Sequence, residues 1–193
     1  MKSIAVFCGS SNGASEIYRE HAVALGKALA EQEINLVYGG ASVGLMGAVA
    51  DAALHAGGRV SGVLPHFLQS REIAHNVLSE LIIVDSMHER KPKMAEIADG
   101  FIVLPGGPGT MEEYFEIFTW AQLGLHEKPC GLLNINHYYD PLISLFDRMA
   151  QEQFMQEKYR AMVVTDTTPQ GILRQFTNYT PPAVKTYLTN KRT

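Results

Sequence analysis

The sequence predicts an α/β fold, one doubly wound parallel sheet with helices on both faces. Three observations predict it. Short apolar runs of strand length alternate with longer runs whose apolar residues recur at helical spacing. Loops rich in glycine and small polar residues follow the first, second and fifth of the strand-like runs. In a parallel sheet those three loops fall on the same edge, the one where ligands bind.

Each element has its own signal. Ile4-Ala-Val-Phe-Cys8 is a strand ended by the turn cluster Gly9-Ser-Ser-Asn-Gly13, and Ser15 caps a helix to about Gln32 with Ala22, Leu25 and Leu29 on one side. Ser10 and Ser11 can bind a phosphate or simply satisfy the turn. Ile34–Tyr38 is the second strand. The loop Gly39–Gly47 follows, then an alanine-rich helix that stops at Gly57-Gly58. Arg59–Leu64 is a third strand halted by Pro65, and His66–Val77, with Arg71 and Glu72, shows no period and reads as loop. Leu81–Val84 is the fourth strand. Ser86-x-x-Glu89 then opens a helix to about Asp99, which Pro92 can shorten. Lys128–Leu133 is the sixth strand, Asp140-Pro141 caps and starts a helix to about Phe154, Met162–Val164 is a short last strand, and Thr168-Pro169 starts the last helix. No repeat or composition shift marks a boundary. Residues 1–180 are therefore expected to form one Rossmann-like nucleotide-binding domain, followed by a polar tail at 181–193.

The stretch Phe101–Glu113 organises the chain. Four apolar residues form a fifth strand, Pro105 stops it, and Gly106, Gly107 and Gly109 allow backbone angles that a Cβ resists. Thr110 opens an amphipathic run (Met111, Tyr114, Phe115, Phe118). Strand, glycine loop and helix N-terminus together make an anion site. Thr110-x-x-Glu113 also reads as a capping box, in which Glu113 only ties off the helix. A cap accounts for the threonine and one glutamate but not for three glycines in four positions. Arg90 and Lys91 sit in the first turn of the preceding helix, where cations oppose the dipole unless an anion is near.

Composition excludes several classes. A chain of 193 residues with 46% hydrophobic and 19% charged residues is ordinary for a soluble globular protein. A net charge of −4 argues against a general nucleic-acid binder, and no apolar run reaches membrane-spanning length. Two cysteines, Cys8 and Cys130, lie in separate apolar runs, as expected of buried thiols in a reducing cytoplasm. The seven histidines form no metal motif, and there is no G-x-S-x-G elbow. What remains is a phosphate cradle, the carboxylates Glu112 and Glu113, and the cations Arg90 and Lys91. This set suits a reaction that builds positive charge on a sugar while its phosphate stays anchored. Cleavage of a nucleotide N-glycosidic bond is such a reaction. Arginine stays protonated, so Arg90 suits a clamp or donor better than an acid.

Pro105-Gly-Gly-Pro-Gly-Thr-Met-Glu-Glu113 matches the PGGxGTxxE motif of the Lonely Guy family, and Cys8-Gly-Ser-Ser11, Val37-Tyr-Gly-Gly40, Gly44-Leu-Met-Gly47, Met87-His-Glu-Arg-Lys91 and Thr119-Trp-Ala-Gln-Leu-Gly124 fit it too. The resemblance implies a homodimer that hydrolyses N6-substituted adenosine 5′-monophosphates to free base and ribose 5-phosphate, without metal or organic cofactor. It implies Arg90 and Glu113 as the catalytic pair. Nucleotide contacts would come from Ser10, Gly40, Glu72, Lys91, Gly106, Gly107, Pro108, Gly109, Thr110, Met111, Glu112 and Thr119. Pro108 replaces the tyrosine often seen inside the glycine motif and removes one backbone donor. The family is often labelled lysine decarboxylase, but no feature marks Lys91 or Lys93 as a Schiff-base anchor. A non-catalytic nucleotide-binding or carrier protein on the same fold is the alternative. Phe67, Met87 and Trp120 are candidates for an apolar wall around the base.

Overall fold

Seven parallel strands form one sheet in the order β4-β3-β2-β1-β5-β6-β7. The strands are β1 (Ser3–Phe7), β2 (Asn35–Tyr38), β3 (Val60–Pro65), β4 (Glu80–Val84), β5 (Gly100–Val103), β6 (Cys130–Leu133) and β7 (Val163–Asp166). These come from a computed structural model that describes residues 1–69 and 74–183. The chain winds outward from β1 to β4, then returns to lay β5 against the other side of β1, pairing Phe7 with Val103. That reversal is the switch point, where the loops after β1 and β5 diverge and leave a crevice.

Helices cover both faces because each strand alternates its side chains between two layers. Ile4 and Val6 pack with Leu25 and Leu29 of α1 (Glu16–Glu31), Val49 and Ala53 of α2 (Gly44–His55), and Ile172 and Phe176 of α8 (Pro169–Thr177). Ala5 and Phe7 face the other way. They pack with Met94 of α4 (Met87–Ile97), Tyr114 and Phe118 of α5 (Pro108–Gln122), and Phe146 of α6 (Asp140–Gln151). The predicted doubly wound α/β sheet is thus observed. Among the described residues no helix is long and apolar enough to cross a membrane.

Several local expectations need correction. The His66–Val77 segment begins with a short helix, α3 (His66–Gln69), and Ala41 bridges Ala74. Glu72 and the tail from residue 184 lie outside the described residues. Asp140 is the first residue of α6, not its cap, because Asn134 and His137 engage its carboxylate at 2.7 and 3.0 Å. α6 ends at Gln151, and the four-residue helix α7 (Glu157–Arg160) follows. Pro92 does not shorten α4, which runs on to Ile97. Thr168 caps α8 as expected, its hydroxyl accepting the Gly171 N–H at 3.1 Å.

Contact between α1 and α2 rests on small residues. A Cβ on Gly26 would fall 2.3 Å from the Val49 carbonyl oxygen and 2.9 Å from the Ala53 nitrogen, both backbone atoms that cannot swing aside. Gly26→Ala should therefore lower stability by about 1–3 kcal/mol, the cost of overpacking. The usual gain of about 0.5–1 kcal/mol for alanine over glycine inside a helix is reversed here. A lower urea midpoint with unchanged slope checks this.

Candidate active site

Three loops meet at the switch point, and they interlock through backbone. The Gly9 N–H donates to the Pro105 carbonyl at 3.1 Å, and the Leu45 N–H donates to the Gly9 carbonyl at 3.1 Å. A Cβ on Gly44 would sit 2.3 Å from the Ser10 carbonyl carbon, and one on Gly106 would sit 2.2 Å from Thr110 Oγ1. Tyr138, which follows the 3₁₀ turn Ile135–His137, donates its hydroxyl to the Gly106 carbonyl at 2.7 Å.

Beyond Gly106 the helix begins earlier than its sequence suggests. Gly107 is the N-cap and Pro108 the first helical residue, where its fixed φ suits and its missing N–H would have had no partner anyway. The Thr110–Glu113 capping box does not form. Glu113 lies in the second turn, so the capping role is removed. The glycines also serve a different purpose from the one expected: Gly106, Gly107 and Gly109 all avoid the left-handed region. A Cβ on Gly107 or Gly109 would meet nothing within 4 Å. These two residues present bare backbone to open space, which lets a ligand approach the helix N-terminus closely.

Adjacent glutamates on α5 divide their work because successive helical residues point about 100° apart. Glu112 and Glu116, one turn apart, share the buried Lys91 of α4; Nζ contacts a Glu112 carboxylate oxygen and lies 2.6 Å from Glu116 Oε2. Glu113 turns instead to Arg90, its Oε1 3.8 Å from Nη1, with 12% and 13% of the two side chains exposed. Arg90 Nη1 also approaches Met87 Sδ at 3.9 Å, and its buried Nε has no hydrogen-bond partner among the described residues. The cations at the start of α4 are thus matched by carboxylates of α5, which offsets their conflict with the α4 dipole.

Electrostatics separates the roles further. Burial pushes the Glu113 pKa above the ordinary carboxylate value, Arg90 and Lys91 pull it back, and Glu112 adds to the rise. Burial draws the Lys91 pKa down, but its hydrogen bonds to Glu112 and Glu116 outweigh this and hold it above the usual lysine value. A Schiff-base lysine needs the opposite, a pKa lowered toward neutrality. Cys8 lines the same cleft, yet burial raises its thiol pKa far above the ordinary range, with Glu113 adding and Arg90 opposing. That direction disfavours the thiolate a nucleophile needs.

The cleft holds about 320 Å³, within the size range of small-ligand sites. Ser10, Arg90, Gly107, Pro108, Gly109, Thr110, Glu112 and Glu113 line it, together with Cys8, Gly9, Met46 and Met87. Gly106 lines an adjoining cavity of about 240 Å³ with Tyr18 and Tyr138. Gly40, Lys91 and Met111 line neither cavity. Thr119 is exposed on α5, about 15 Å along the helix from Gly109. Of the three candidates for an apolar wall, Met87 reaches the cleft; Phe67 is half exposed, and Trp120 packs on the core beneath the sheet. Met46 and Tyr138 were not anticipated. Met46 belongs to a recognisable motif, but no local pattern marks Tyr138, which acts through a turn between β6 and α6.

Residues 46–176 match the family model described as possible lysine decarboxylase. Among curated proteins, a cytokinin riboside 5′-monophosphate phosphoribohydrolase of Arabidopsis thaliana is 48% identical over 93% of this chain and 83% of its own length. The enzyme of that name from Rhodococcoides fascians is 49% identical over 89% and 87%. A probable one from Oryza sativa subsp. japonica is 46% identical over 93% and 74%. Solved structures with this fold include a molybdenum cofactor carrier protein of Chlamydomonas reinhardtii (TM-score 0.69, 20% identity, 92% of this chain and 96% of that one). A molybdenum cofactor binding protein of Rippkaea orientalis is similar (TM-score 0.68, 21% identity, 92% and 97%). At that identity the likeness establishes the fold alone, and fold does not decide function. The curated relatives span nearly the whole chain, the cleft motifs included, and the chain belongs to the family of cytokinin riboside 5′-monophosphate phosphoribohydrolases.

Proposed function

We propose that this protein hydrolyses the N-glycosidic bond of N6-substituted adenosine 5′-monophosphates, releasing the free base and ribose 5-phosphate. One observation carries the assignment of roles: a largely buried carboxylate, Glu113, faces a largely buried guanidinium, Arg90, whose Nε has no hydrogen-bond partner among the described residues, beside a helix N-terminus of bare backbone. The N–H groups after Gly107 anchor the 5′-phosphate, with Ser10 opposite. Pro108 donates nothing, so Gly109 and Thr110 supply the helical donors. As the bond from the sugar carbon to the base nitrogen breaks, the sugar becomes oxocarbenium-like and Glu113 stabilises that charge. The carboxylate also orients a water whose oxygen adds to the sugar carbon and takes the water's proton. Arg90 holds the departing base by hydrogen bonds, and the base gains its proton from solvent.

We further propose a homodimer. Thr119, exposed and distant from its own chain's cleft, contacts a nucleotide only when it reaches a second copy's cleft. The outer strand β4 exposes Ile83, and Met87 shortly after it is exposed as well, apolar surface suited to a partner. The buried free thiols Cys8 and Cys130 fit a reducing cytoplasm. Sedimentation equilibrium should read twice the chain mass of 21.3 kDa; a monomer at assay concentration would remove this assignment.

Glu113→Gln should cut turnover by roughly 10²-fold or more while nucleotide still binds. Its melting temperature at neutral pH should not fall, because Glu113 caps nothing and burial disfavours its charged form. The folded pKa of Glu113 lies above the unfolded value. Its contribution to stability is therefore complete below the unfolded pKa and is lost as pH rises through the folded one. Activity has the opposite sign: kcat/KM should fall on the acid side with a midpoint above about 4.3, the ordinary glutamate value. Full turnover in Glu113→Gln would reject the carboxylate's role.

Release of base from isopentenyladenosine 5′-monophosphate should exceed release from AMP, since Met46 and Met87 give the cleft an apolar side. Equal rates would mark a general purine-nucleotide hydrolase. Binding of both without release would replace the enzyme by a carrier.

A further inference from the structure

We infer that Gly39 is a positioning residue for Arg90, and that its missing side chain creates the seat in which the guanidinium lies. Gly39 directly follows β2 and is buried. A Cβ placed on it would fall 1.9 Å from Arg90 Nη2, 3.0 Å from Cζ and 3.3 Å from Met46 Sδ. Nη2 of the guanidinium therefore points end-on into the space beside the Gly39 Cα, with Nη1 turned toward Glu113 and Met87. The pair to Glu113 spans 3.8 Å, the contact to the Met87 sulfur 3.9 Å, and Nε has no partner among the described residues.

Backbone conformation does not explain this glycine. Gly40 has φ +78°, a region that side chains resist, so a substitution there is strained whatever the space. Gly39 lies outside that region. What alanine cannot share is the volume occupied by Nη2. The obstructing atom is the far end of a flexible side chain, so relief comes from moving Arg90 rather than the fold. An alanine methyl at position 39 pushes the guanidinium off its seat and away from the Glu113 carboxylate. A displacement near 1 Å of a group that must meet a transition state costs about 10²-fold in rate. Gly39 thus sets, from the end of β2, where a donor carried by α4 stands in the cleft.

The proposal rests on Arg90 acting in the reaction, and a double-mutant cycle separates the two. Gly39→Ala should lower kcat by roughly 10²-fold, with a melting temperature within a few degrees of the parent. Arg90→Ala should be as slow or slower. In Gly39→Ala/Arg90→Ala the alanine meets no guanidinium, so the double variant should be no slower than Arg90→Ala alone. Should Gly39→Ala prove unstable, Arg90→Ala should restore its melting temperature, because the clash is with that side chain. Full activity of Gly39→Ala overturns the positioning role while leaving Arg90 in place. A double variant much slower or less stable than Arg90→Ala overturns it as well, since Gly39 would then act by another route. Full activity of Arg90→Ala defeats the catalytic reading on which the proposal stands.

Discussion

The site depends on backbone meeting backbone at the sheet's reversal. Parallel strands leave their carboxyl ends at one edge, and the return of the chain from β4 to β5 brings three loops together there. The Gly9-to-Pro105 hydrogen bond fixes two of those loops, and the bare flank of Gly44 lets the third close on Ser10. Side chains would hold these segments apart by more than their hydrogen bonds can span. Everything downstream, from the start of α5 to the direction of Glu113, inherits its position from that contact.

Charge is arranged around this frame so that two oppositely charged helices face each other. Lys91 is engaged by Glu112 and Glu116 and acts as a bolt between α4 and α5. That leaves Glu113 and Arg90 loosely paired and largely buried, an arrangement poor for stability. A carboxylate whose pKa is raised by burial destabilises the neutral-pH fold when it is ionised. The tight Lys91 cluster beside it keeps the two helices in register. On the proposed roles, stability and activity fall to neighbouring residues of the same helix rather than to one residue doing both.

Much of this was legible in the sequence, for identifiable reasons. Burial on both faces makes parallel strands continuous apolar runs, so β1, β2 and β5 announce themselves. Ser86 and Thr168 cap helices where their spacing says they should. The motif around Pro105 located the cleft. It misdated the start of α5, because Thr110 is a better generic cap than Gly107 and only the fixed φ of Pro108 favours the earlier start. Asp140 looked like a cap until Asn134, six residues earlier, took its carboxylate. Gly39 and Tyr138 act on partners about 50 and 30 residues away, and no local pattern encodes such a partner.

Tyr138 carries a consequence for how this family can diverge. Its hydroxyl restrains the Gly106 carbonyl from a turn in which Asn136 and His137 both hold left-handed backbone, a conformation that costs energy without glycine. The glycine loop is therefore braced from outside, by a segment that belongs to none of the motifs identifying the family. Two relatives with identical cleft residues can hold that loop with different stiffness if this turn differs. Drift in the turn after β6 would thus change how firmly the glycine loop is held while every signature residue stays in place.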